Sequence, residues 1–140
     1  MIAYIDDKLS NFSFFFIMPS YYTIGLLIVA NIFMTFAWYG HLKFKEMPGF
    51  DKLGLFTIIL ISWGVAFFEY IFQVPANKYG FKDNGGSFSL VELKVLQEVI
   101  TLSVFMLFTI IFFKDEPIKW NHIAGFVCLV FAVYFIFNKF

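Results

Sequence analysis

The sequence predicts an all-α membrane protein, a four-helix transmembrane bundle, and three observations predict it. First, 61% of the 140 residues are hydrophobic, where a soluble domain carries about 45–50%. Second, four apolar segments approach the length of about 20 residues that a helix needs to cross a bilayer core, and each is bounded by charges or turn signals. Third, the alternation of apolar and polar residues that a barrel requires is missing. Helices are then the remaining way to satisfy backbone N–H and C=O groups in lipid. Four spans leave no room for a large soluble domain. Lys and Arg together number 10 and so do Asp and Glu, without a basic block of the kind that binds nucleic acid.

Residues 1–20 read as an N-terminal extension. Phe12–Met18 is apolar but too short to span, and Pro19 follows it, so the segment is either interfacial or poorly ordered. Asp6 and Asp7 stand where a signal peptide would carry positive charge. Met18 is an alternative start.

The membrane domain is 21–140, with spans at about 21–40, 53–72, 92–113 and 120–137. Span 1 is flanked by Tyr21 and Tyr22 at one end and by Trp38 and Tyr39 at the other, as at aromatic interfaces. Asn31, near its middle, is either helix-packing glue or a substrate contact. The first loop, His41–Lys52, holds the Pro48-Gly49 turn signal. His41 at its edge reads as solvated or interfacial, with a proton relay as the alternative.

Span 2 is expected to stop before Pro75. Ser62, Ala66, Glu69 and Gln73 are spaced i, i+4, i+7, i+11 and share one small, polar helix face. The second loop carries Asn84-Gly85-Gly86, and Ser89-Leu90-Val91-Glu92 is a capping box that starts helix 3 near Leu90. Along span 3, Lys94, Gln97, Glu98 and Thr101 form a polar stripe. Trp120 opens span 4, where Gly125, Cys128 and Ala132 make a small-residue seam suited to tight packing with another helix. Cys128 is the single cysteine, so no disulfide within the chain and no Cys-based metal site is expected.

The functional weight falls on Glu69 and Glu98. An ionisable side chain at membrane depth is costly unless it meets a partner or water. Each carboxylate lies about three residues inside the second-loop end of its span, so the two are expected at similar depth on antiparallel neighbours, close enough to share a site with Gln73, Gln97, Asn77 and Thr101. Trp63 and Tyr70 would wall an apolar or cationic substrate. The alternative for Glu98 is an i, i+4 pair with Lys94, and for Glu69 contact with headgroup water. Five lysines fall on each side of the expected topology, so the positive-inside rule sets no orientation, and oppositely inserted copies could form an antiparallel dimer.

The strings NIFMTFAWYGHLKF, SWGVAFFEYIFQVPAN, FSLVELKVLQEVITL and the closing Lys119-Trp120-Asn121 with Ala132–Phe137 resemble a family of small four-helix membrane proteins grouped with the drug/metabolite transporter superfamily. The resemblance covers about Tyr21 to Phe137. A looser similarity extends to the small multidrug resistance transporters, four-helix antiparallel dimers that exchange protons for cationic compounds. Span and loop lengths agree with theirs, and the span 4 seam looks like their dimer contact. They depend on a Glu in the middle of span 1, and the matching position here is Asn31, so their mechanism does not carry over residue by residue.

Two readings follow. One is a small secondary transporter, proton- or cation-coupled, that acts as a homodimer because four spans do not enclose a pathway comfortably. The other is a structural or regulatory membrane subunit whose polar stripes are helix–helix glue. A membrane enzyme is not expected, since HExxH, GxSxG and metal-ligand clusters are missing, and neither a cofactor nor a metal is expected. The expected location is the bacterial inner (plasma) membrane.

Overall fold

The computed structural model describes residues 20–115 and 117–138. The order of elements is α1 (Ser20–Phe44), α2 (Leu55–Gly80), a 3-10 turn (Lys82–Asn84), α3 (Leu90–Phe112) and α4 (Trp120–Phe137). All 4 helices among the described residues are long and apolar enough to cross a membrane. The expected interfacial segment before Ser20 lies outside the described residues.

Local chemistry sets the helix starts. Ser89 Oγ accepts from the Glu92 backbone N–H at 3.3 Å and Glu92 Oε2 accepts from the Ser89 N–H at 2.6 Å, the reciprocal capping box read in the sequence. At the start of α4 the Lys119 N–H donates to His122 Nδ1 at 3.3 Å. In the first loop Gly49 takes a φ of 91°, a left-handed conformation that a side chain resists, and its N–H donates to Asp51 Oδ1 at 3.1 Å.

One boundary differs from expectation. The helix does not stop before Pro75 but continues through it to Gly80. Proline lacks the N–H that would reach the Ile71 carbonyl, and membrane helices tolerate this because neighbouring helices and local adjustments re-satisfy the freed group. Here the extra turns are held by packing. Ala76 and Gly80 are both buried, and Ala76 sits with Leu27 of α1 and Ile100 of α3 in the protein's central apolar cluster.

α1 is the middle of the bundle. It packs along α2 on one side and α3 on the other, while α4 rests on α3. Buried residues therefore occur around much of α1, namely Thr23, Leu27, Ala30, Asn31, Thr35, Ala37 and Gly40. Phenylalanines bind the layers together. Phe33 stacks on Phe68 and Phe72 of α2, with ring centroids 5.7 Å apart in both cases. Phe36 meets Phe108 and Phe112 of α3 edge-on at 5.2 and 5.6 Å. α4 buries none of its residues, and its end touches the rest of the chain where Phe137 meets Phe88 at 6.3 Å.

Candidate functional site

The polar face of α2 forms one row with the small residues beyond it. Ser62, Ala66, Glu69, Gln73, Ala76 and Gly80 are spaced by alternating fours and threes, which keeps them on one helix face for about 27 Å of rise. The row faces α1. Gly80 lies against Thr23, so close that a Cβ there would meet Thr23 Cγ2 at 2.6 Å. Ala76 packs with Leu27. Ser62 and Ala66 share a crevice with Ala37 and His41. The antiparallel register of these contacts sets Gln73 level with Ala30 and Glu69 level with Met34.

The two ends of this seam differ. At the second-loop end glycine and alanine let the helices touch. At the first-loop end the helices part, leaving crevices of about 420 Å³ and about 300 Å³, both lined by His41 and Ser62. Between the ends, Gln73 is only 7% exposed, and its Nε2 has no hydrogen-bond partner among the described residues. Glu69, half-buried one turn away, has neither a hydrogen bond nor an ion pair among the described residues.

The α3 side is arranged differently. Glu98 is exposed and forms an ion pair with Lys94 at 2.6 Å. It borders a cavity of about 490 Å³ between α1, α3 and α4, walled by Trp38, Tyr39, Phe105 and Leu129. Next to this cavity Thr101 Oγ1 donates to Asn31 Oδ1 at 2.5 Å. Asn31 Nδ2 donates to the Leu27 carbonyl at 2.7 Å, and Thr35 Oγ1 donates to the Asn31 carbonyl at 2.8 Å. Asn31 thus ties α1 to α3 by a side-chain hydrogen bond.

The candidate residues therefore separate into groups. The structure brings Asn31 together with Thr101, and places Glu69 and Gln73 on one row facing α1. It does not pair Glu69 with Glu98, because α1 lies between their helices and Glu98 is engaged by Lys94. Tyr70 is 61% exposed on the outer surface of α2, away from the seam, whereas Trp63, although 71% exposed, borders the crevice that Ser62 and Ala66 share with Ala37 and His41. Asn77 is exposed near the end of α2, where its carbonyl accepts from the Phe81 N–H. Gln97 is half-buried on α3. Gly125, Cys128 and Ala132 are exposed on α4, open to another helix. Thr23 and Thr35 were not singled out in the sequence. Their spacing from Asn31 was a signal, because Thr23, Asn31 and Thr35 fall with Leu27 on one i, i+4 row.

Residues 23–137 match the model of the family described as "Putative member of DMT superfamily (DUF486)". The chain belongs to this family. Its membership and its four apolar helices make it an integral, multi-pass membrane protein of the drug/metabolite transporter superfamily. No curated protein and no solved structure matches the chain. Among the described residues, no group of three or more His, Cys, Asp or Glu side chains stands ready to hold a metal ion.

Proposed function

We propose that the protein is a small secondary transporter that works as a homodimer, with Glu69 as its coupling carboxylate. The observation that carries this reading is Glu69 itself, a carboxylate within an apolar span that has no partner among the described residues. Intramembrane ionisable groups without a structural partner mark ion and substrate pathways. Glu98 has such a partner in Lys94 and acts as a structural residue. Membership of a transporter superfamily supports the same reading.

The homodimer rests on α4. Within the bundle this helix packs chiefly on α3 and leaves Gly125, Cys128 and Ala132 exposed. Small residues let a second helix approach closely, and a copy inserted in the opposite sense is compatible with the balanced lysines. Cross-linking through the native Cys128 by copper–phenanthroline, an oxidant that enters the bilayer, should trap a dimer in membranes. The location proposed is the bacterial inner membrane.

The test of function is a proteoliposome assay in which purified protein meets a pH step and a panel of amines, guanidinium compounds and small metabolites. Currents or uptake that vanish in Glu69→Gln and persist in Glu98→Gln are expected. Transport that survives Glu69→Gln would remove Glu69 from the role. A wild type silent to the whole panel, with both variants assembled normally, would favour the structural-subunit reading.

A further inference from the structure

We propose that each protomer carries its own proton path, the seam between α1 and α2 that runs from His41 and Ser62 past Glu69 to Gln73 and Thr23. The inference rests on the transporter reading for its purpose and names the ion that Glu69 couples. It places the path inside one copy of the chain instead of between two copies.

Three independent features converge on this seam. The buried side-chain polar atoms without a hydrogen-bond partner among the described residues are Thr23 Oγ1, His41 Nδ1 and Gln73 Nε2. All three belong to α1 or α2 and lie along their shared face, near one end, near the other, and in between. Thr23 is fully buried and Gln73 nearly so, so neither is a surface group turned from solvent by chance. Orphaned polar atoms are costly in hydrocarbon, and their natural partner is water, which is held by two to four polar groups when a site is roomy enough.

The second feature is room. Both crevices at the first-loop end carry His41 and Ser62 among otherwise mostly apolar side chains, and these two polar groups mark where water would enter from that side. The third is closure at the other end, where Leu27 packs with Ala76 and Thr23 sits on Gly80. The seam is thus open toward one face and shut toward the other.

The chemistry follows from the residue types. His41 and Glu69 are the titratable groups of the seam. Of the charges on nearby elements, Lys43 is paired with Glu46 and Glu98 with Lys94, and Lys45, Asp51 and Lys52 lie in the first loop beyond the seam. A proton delivered through crevice water is accepted by the Glu69 carboxylate. Gln73 and Thr23 do not titrate, but each can hold a water in line. When the Leu27–Ala76 contact parts, the proton passes to water on the far side and Glu69 returns to its carboxylate, so nothing is consumed.

The test uses the single native cysteine. In a Cys128→Ser background, Ser62→Cys and Gln73→Cys probe the seam, while Phe67→Cys and Ile71→Cys probe the outer surface of α2. Each is reconstituted and treated with a water-soluble methanethiosulfonate. Only a thiolate reacts, and a thiol facing hydrocarbon does not ionise, so the seam positions should react roughly tenfold faster or more. Reaction at 67 and 71 with silence at 62 and 73 would put the aqueous path on the outer surface and overturn the proposal.

A second measurement follows proton entry into liposomes with a trapped pH dye under a valinomycin-clamped potassium potential. Wild type should acidify the lumen, and Glu69→Gln and Gln73→Leu should not, while eluting and cross-linking like wild type. A wild type without flux, or flux indifferent to Glu69→Gln, would overturn the proposal even with a hydrated seam. Solute uptake without proton flux would sink this inference and leave the transporter reading standing. Proton flux without uptake of any solute would do the reverse.

Discussion

The two faces of α1 treat polar residues in opposite ways. Against α3, Asn31 is surrounded by partners, for its carboxamide donates to Leu27 and accepts from Thr101, and its carbonyl accepts from Thr35. Against α2, the buried polar atoms of Thr23, His41 and Gln73 lack partners among the described residues, and so does the Glu69 carboxylate. Both faces use side chains that an apolar bundle does not need. On the proposed reading, the difference separates polar groups that hold helices together from polar groups kept free for something that comes and goes. A satisfied network in low dielectric stiffens a crossing, while an unsatisfied one is stable only with a guest.

Four substitutions test this contrast. The largest expected effect is on activity: Glu69→Gln should reduce coupled uptake in proteoliposomes to that of empty vesicles while the protein still assembles. Gly80→Ala attacks the tight end of the seam. Its Cβ would lie 2.6 Å from Thr23 Cγ2 and 3.1 Å from Leu93 Cδ2. Overpacking of this kind costs about 1–3 kcal/mol, to be read from unfolding in mixed micelles. On the other face, Asn31→Ala should cost about 1–2 kcal/mol in the same assay, since interhelical hydrogen bonds in membranes average below that and Thr101 is left without its acceptor. Uptake per folded molecule should be retained. If Asn31→Ala instead abolished uptake without loss of stability, the contrast would collapse and Asn31 would belong to the pathway. The smallest effect belongs to Glu98→Gln, because exposed i, i+4 pairs contribute about 0.3–0.5 kcal/mol, and uptake should be unchanged within error.

Much of this architecture could be read before the structure. Four spans followed from segment length, and the start of α3 from Ser89 and Glu92, because these features are local. The Lys94–Glu98 pair was legible as an alternative for the same reason. The row Ser62, Ala66, Glu69 and Gln73 was visible as a period, and its partner was not. Sequence shows which residues share a face but not which helix that face meets. The antiparallel proximity of spans 2 and 3 suggested a joint site for Glu69 and Glu98, whereas in the bundle α1 comes between them. Tyr70 lies away from the seam, which its position in the chain did not show, since an aromatic in a span looks the same in sequence whichever way it faces, while Trp63 does border the first-loop crevice. Pro75 misled because the rule that proline ends a helix is calibrated in water, and here packing of Ala76 and Gly80 on α1 prolongs α2 beyond it.

The connection after α2 has a mechanical consequence. Backbone hydrogen bonds lace it closed: the Lys82 N–H donates to the Phe88 carbonyl at 2.8 Å, the Phe88 N–H to Gly80 at 3.0 Å, and the Gly86 N–H to Phe81 at 3.0 Å. Asn84 Nδ2 adds a strut to the Lys78 carbonyl at 2.8 Å. Gly86 is pressed against the backbone of Tyr79 and Gly80, with no space for a side chain. Such a linkage transmits displacement instead of absorbing it. The end of α2 cannot swing from Thr23 without dragging the start of α3, and α3 is bolted to α1 further along at Asn31. The bundle then behaves as a lever with a stiff coupling rod and a fixed fulcrum, and a loosened rod should uncouple the two arms while both remain intact.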